Sequence, residues 1–213
     1  MPATDWPELP FTPDDVELIG RERRYDGYFA LDRYHVRHRR YDGGWSAPIY
    51  REVFISADAV AVLPYDPIRD EVVMIEQFRA GPYAHSEGQR PLSSWLVEPI
   101  AGRIETNETP EGVARREPLE EAGCLLNRLV PIGAFFQSPG CISEKIHYFC
   151  ALTDSSRFGG VHGCADEDED IRVIVLGRKT ALAGVQEGRI GNITLAFALL
   201  WLELNRDLLL QGD

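Results

Sequence analysis

GRIETNETPEGVARREPLEEAGC, residues 102–124, holds six glutamates in a segment that otherwise has the pattern of a helix. Thr109 is a capping residue, Pro110 suits the first helical position and Gly123 suits the stop, so a helix is predicted over 110–122. Val113, Ala114 and Leu119 are available for its packed side. Glu117, Glu120 and Glu121 stand at i, i+3 and i+4, hence on one face. Like charges so placed cost about 0.2–0.5 kcal/mol per pair. They also lie toward the end of the helix where the macrodipole disfavours anions. Two readings follow. One is a solvated acidic face, neutralised in part by Arg115 and Arg116. The other is a set of hard oxygen ligands for a divalent cation, whose binding removes both costs. Pro118 interrupts the pattern: it deletes the hydrogen bond to the Ala114 carbonyl, at about 3 kcal/mol, and predicts a kink between Glu117 and Glu120.

Outward from this helix the pattern is mostly β. Residues 15–55 alternate, with a turn at Asp42-Gly43-Gly44 and a strand over 49–55. They form a small antiparallel unit rich in Arg and Tyr. AVAVLPYD (59–66) and EVVMIEQFR (71–79) are apolar strands joined by a turn. WLVEPIAG (95–102) reads as one strand, 133–138 and 145–152 as a pair across SPG, and 170–176 as another strand. Two helices follow, near 178–187 and over 193–209, the second capped by Asn192. Few strands are linked by helical crossovers. The expected class is therefore α+β, a mixed sheet flanked by helices, rather than a doubly wound parallel sheet.

The chain has 213 residues, 44% of them apolar, enough for one sizeable domain with a small appendage. A net charge of −12 repels phosphate backbones and excludes a general nucleic-acid binder. The four cysteines (124, 141, 150, 164) have no metal-ligand spacing and read as reduced thiols of a cytoplasmic protein. No signal peptide and no membrane span is expected.

The spacing of the opening stretch is Gly102, five residues, Glu108, seven residues, Arg116-Glu117, two residues, Glu120-Glu121, one residue, Gly123. It resembles the Nudix box, G-x5-E-x7-R-E-U-x-E-E-x-G-U, with every charged and glycine position matched and Pro118 at the first apolar position U. The resemblance implies a Nudix hydrolase, which cleaves a nucleoside diphosphate linked to a further moiety with Mg²⁺ or Mn²⁺. The fold it implies is a mixed β-sheet sandwiched between helices. The segments around YDGYFALDRYHVRHR, REVF, VLPYDPIRDEVVMIEQFR, SPGCISE and HGCADEDEDIRV are similar to the ADP-ribose diphosphatase branch, from about Val16 to Leu204. That branch implies residues 1–56 as a β-subdomain exchanged across a homodimer, and 57–213 as the hydrolase domain.

Carried over by position, the resemblance assigns the Ala101 carbonyl, Glu117, Glu121 and Glu169 to the metal. It makes Glu167 the catalytic base and has Glu120 support the metal through its waters. Glu108 and Arg116 stand behind these groups and fix their rotamers. Tyr28 and Phe29 match an adenine platform, Arg51 and Glu52 contacts across subunits, and Arg79 and Arg103 further substrate contacts. Ser138, Gly140 and Glu144 match a loop at the terminal ribose. Ser56 stands where branch members often carry a second basic residue, and 81–95 matches a variable rim loop. Read without the resemblance, Tyr28 and Phe29 are core aromatics, Arg79 is a strand-end charge and 165–171 is a solvated acidic loop. The competing activities are hydrolysis of a nucleotide sugar such as GDP-mannose, and non-catalytic sensing of ADP-ribose.

Overall fold

The computed structural model describes residues 7–86, 93–163 and 169–211. The chain divides into two compact units, Met1–Ser56 with Phe136–Glu144, and Ala57–Phe135 with Lys145–Asp213.

The first unit is an antiparallel sheet of β1 (Val16–Asp26), β2 (Ala30–His38) and β3 (Ile49–Ile55), in that order. Most of its side chains face water, so ring contacts and ion pairs stand in for a deep core. Asp32 is buried between Arg21 and Arg23, Phe29 packs on Phe54 at 4.7 Å, and His35 stacks on Tyr50 at 4.2 Å. Segment 136–144 joins through Phe54, whose N–H donates to the Cys141 carbonyl (2.8 Å) and whose carbonyl accepts from Ser143 (3.1 Å).

The second unit is built on β4 (Ala59–Asp66) and β5 (Glu71–Phe78), both nearly continuous apolar runs because both faces are covered. Val60, Val62, Val73 and Ile75 face one side. Leu63, Tyr65, Val72 and Met74 face the other. The first side packs under α2 (Pro110–Ala122), through Val113, Ala114 and Ala122. The second packs against α3 (Arg178–Gln186) and α4 (Ile193–Leu210), through Ala181, Leu195, Leu199 and Leu202. β8 (Arg128–Phe136) and β9 (Lys145–Leu152) extend the sheet beyond β4, with β9 parallel to it. β10 (Val161–His162) and β11 (Ile171–Gly177) extend it beyond β5. The class is α+β, a mixed sheet between helices.

Segment 95–102 is not one strand. It forms β6 (Trp95–Glu98), paired with β5, and β7 (Ile100–Arg103), paired with β4. β4 and β5 pair directly only at Tyr65–Val72 and Asp66–Glu71. Beyond that hairpin they diverge, and β6 and β7 fill the gap. Pro99, with no N–H to give a ladder, marks the change of partner. Two other boundaries differ from expectation. β8 runs Arg128–Phe136, with Pro131 inside it, rather than over 133–138, and a short helix, α1 (Ala80–Ser86), occupies part of the expected rim loop. Among the described residues no helix is long and apolar enough to cross a membrane.

Candidate active site

β7 delivers the glutamate-rich segment to the face of the sheet under α2. Thr109 caps that helix, its Oγ1 accepting from the Gly112 N–H at 3.1 Å. Gly123 ends it in the left-handed region (φ 59°), a conformation that favours glycine. The Gly123 and Cys124 N–H groups return to the Leu119 and Pro118 carbonyls. Between these ends the helix is one element through Pro118, which is buried, whereas Leu119, expected on the packed side, is half-exposed.

Glu117 and Glu121, one turn apart, both meet β7. A Cβ at position 102 would fall on the Glu117 carboxyl, so the glycine is a cradle for that side chain. Glu121 is 3% exposed and accepts from the Ala101 N–H at 3.1 Å. Burial pushes Glu117 up to about 7, helped by the charges of Glu120 and Glu169 and opposed by Arg116. Burial likewise raises Glu121 well above the usual carboxylate range. The charges of Glu117 and Glu169 add to the rise, while the Ala101 N–H and Arg79 oppose it. Glu169 approaches from the loop between β10 and β11. The same hairpin sets His162 beside Gly123.

Arg116 stands behind the carboxylates. It forks onto Glu108 (3.0 and 3.2 Å) and also reaches Glu120 (2.9 Å) and Glu117 (2.8 Å). The Arg116 pairing, with a bond from the Glu105 N–H, holds Glu108 below its ordinary pKa. Glu120 is half-exposed and turned to Arg116 rather than to the sheet.

Among the described residues, no three His, Cys, Asp or Glu side chains are already closed into a metal-binding group. The donor chemistry nevertheless fits a divalent cation. Glu121, which is buried, Glu117, which is largely covered, and a third carboxylate within charge range offer only oxygen and repel one another, with the Arg116 guanidinium behind them and the Arg79 charge within reach of Glu121. Glu167 lies outside the described residues.

Arg79, just past the end of β5, donates through Nε to Glu98 at 2.8 Å. Arg103 ends β7, opposite Ala59. The remaining expected residues belong to the first unit. Tyr28, 79% exposed, stands edge-on to Phe29 at 4.7 Å in the β1–β2 turn. Arg51 and Glu52 are exposed on β3. The Ser138 carbonyl accepts from Cys141 and Ile142 to shape its loop, Gly140 is exposed with open space where a Cβ would go, and Glu144 accepts from the Ser56 hydroxyl at 3.2 Å. Ser56, at the place where members of that branch often carry a basic residue, thus bonds an acid. Glu98 was missed by sequence reading. The available signal was a lone acid inside an apolar strand, which is buried only with partners.

The sequence model of the NUDIX domain matches residues 56–177. The chain is 45% identical over 199 residues to the ADP-ribose pyrophosphatase of Escherichia coli (strain K12), covering 93% of each chain. It is 42% identical over 195 residues to the ADP-ribose pyrophosphatase of Haemophilus influenzae, covering 92% of this chain and 89% of that one. A GDP-mannose pyrophosphatase of Pectobacterium atrosepticum is 30% identical over 175 residues, 82% of this chain and 87% of that one. The domain match takes in the cradle, the glutamate helix and the β10–β11 hairpin alike, and the chain belongs to the Nudix hydrolase family.

Proposed function

We propose that this protein hydrolyses the diphosphate linkage of ADP-ribose, releasing AMP and ribose 5-phosphate. The observation that carries the chemistry is the pair Glu117 and Glu121, one turn apart against β7, the first largely covered and the second buried, with Glu169 in charge range. The likeness to two ADP-ribose pyrophosphatases over nine-tenths of the chain supports the substrate. Hydrolases of this family work with a divalent metal. We assign that role to Mg²⁺, with Mn²⁺ as a substitute, held by the Ala101 carbonyl, Glu117, Glu121 and Glu169. When bound, the ion neutralises phosphate charge and acidifies water.

The residues of the chain do the rest. Glu167 takes the proton of the attacking water as its oxygen bonds to phosphorus, and the bridging P–O bond breaks with its electron pair leaving on the departing phosphate. Glu120 holds metal-site waters, and Arg116 with Glu108 keeps the carboxylates in place. Arg79 and Arg103 contact the substrate. We assign residues 1–56 to dimerisation and substrate contacts and residues 57–213 to hydrolysis, in a homodimer with exchanged N-terminal units. Tyr28, Phe29, Arg51, Glu52, Ser138, Gly140 and Glu144 are its further substrate contacts. An aromatic ring as exposed as Tyr28 suits a purine face. The buried free thiols of Cys124 and Cys150 support a cytoplasmic setting.

The test is AMP release from ADP-ribose with Mg²⁺ and with EDTA, beside GDP-mannose. Metal-dependent release fastest from ADP-ribose is expected. Tight ADP-ribose binding with no turnover of either substrate means a sensor. Glu167→Gln is expected to lower kcat about 100- to 1,000-fold with ADP-ribose affinity kept, and unchanged turnover removes that residue from the mechanism.

A further inference from the structure

We infer that Glu98 and Asn192 form a relay that aims the Arg79 guanidinium at the substrate, which makes both of them positioning residues for the hydrolysis. The inference rests on Arg79 as a substrate contact in the reading above. Glu98 is 6% exposed. A buried carboxylate needs its oxygens taken, and here each has a partner. Oε2 accepts from Arg79 Nε at 2.8 Å, and Oε1 accepts from Asn192 Nδ2 at 2.7 Å. Glu98 engages Arg79 through Nε, so the two Nη groups at the end of the planar fork lie outside this pair.

The relay sits beside the acid pair. Glu98 is directly opposite Ile75, which packs with Ala122 and Cys124 at the end of α2, so Glu98 and the glutamate helix share one face of the sheet. The Arg79 charge reaches Glu121. Its backbone N–H is fixed on the Ser94 carbonyl at 2.7 Å, so the side chain swings from an anchored point.

Asn192 serves both ends. Its Oδ1 accepts from the Leu195 N–H at 3.0 Å and caps α4, while its Nδ2 donates to Glu98. The cap alone needs only an acceptor, and an aspartate serves as well there. The second bond needs a donor, which only the amide supplies. This separates capping from aiming.

In Asn192→Asp the cap survives, but a carboxylate faces Glu98. In Glu98→Gln the amide oxygen can meet Arg79 only by turning its NH₂ onto the NH₂ of Asn192. The double variant reverses the second bond: the amide introduced at position 98 donates to the carboxylate introduced at position 192, and the amide oxygen again faces Arg79. Each single variant is expected to lower kcat/KM for ADP-ribose about tenfold, and the double variant to recover to within about threefold of wild type. In an Arg79→Ala background neither change is expected to matter further. A purely structural pair gives the same loss with or without Arg79, and that result, or full activity in both single variants, overturns the relay. The same comparison is made on ADP-ribose affinity in EDTA, which no turnover defect touches. If the wild type prefers GDP-mannose, the substrate reading fails, and the cycle run on GDP-mannose then decides the relay.

Discussion

At the residue scale, the site depends on one missing side chain. Gly102 leaves the space that the Glu117 carboxyl fills, so any Cβ there must drive Glu117 off β7. This glycine does not have a positive φ, and its substitution acts on the site rather than on backbone strain. Gly102→Ala is expected to lower kcat about 100-fold, because a shift of about 1 Å in a proposed metal ligand is enough for that, and to raise the Mg²⁺ concentration needed for half-maximal rate. A magnesium titration of the rate checks it. Normal Mg²⁺ dependence in the variant would place the metal away from Glu117. Arg116 works from the opposite side: bonded to Glu108, Glu117 and Glu120 at once, it restrains side chains that repel one another.

At the element scale, the glutamate helix carries a cost that its packing offsets. Pro118 gives no N–H to the Ala114 carbonyl, yet α2 runs from Pro110 to Ala122 because Thr109, Gly123 and the buried Val113, Ala114 and Ala122 hold it. Pro118→Ala restores the bond and the better helix former but leaves a small void under a buried position. The net gain is expected to be about 1–2 kcal/mol, or a Tm higher by about 3–6 °C, with kcat within about threefold. A thermal melt that falls instead would show that Pro118 packing outweighs its backbone cost. Which elements were legible follows from the same physics. The limits of α2 and the start of α4 were plain, because Thr109, Gly123 and Asn192 are local chemical signals. The splitting of 95–102 into β6 and β7 was not, because it depends on the divergence of β4 and β5, a long-range fact to which only Pro99 hints. The acid pair was visible as periodicity. The Glu98–Asn192 contact, 94 residues apart in sequence, left no local trace.

At the scale of the whole molecule, the site should govern stability as a function of pH. Glu117 titrates near 4.5 when unfolded and is pushed up to about 7 when folded, and Glu121 moves the same way. Between those values the folded chain binds more protons than the unfolded one, so stability falls as pH rises through the window. Asp66 runs opposite. Against its burial, N–H groups of Ser155, Arg69 and Ile68 draw it down to about 2, so its contribution is present above about pH 4 and is lost only as pH falls toward 2. The two windows do not overlap, and from pH 5 to 8 the glutamates dominate. A cation held by Glu117 and Glu121, as proposed, would replace the protons and release them. In EDTA the Tm is therefore expected to be highest near pH 5 and to drop by about 3–6 °C by pH 8, while saturating Mg²⁺ flattens the profile and raises the Tm most at the alkaline end. Calorimetric melts across that range, with EDTA and with Mg²⁺, separate the outcomes. Parallel slopes under the two conditions would mean that the cation binds elsewhere, because only a ligand seated on the shifted carboxylates can abolish a slope that they create.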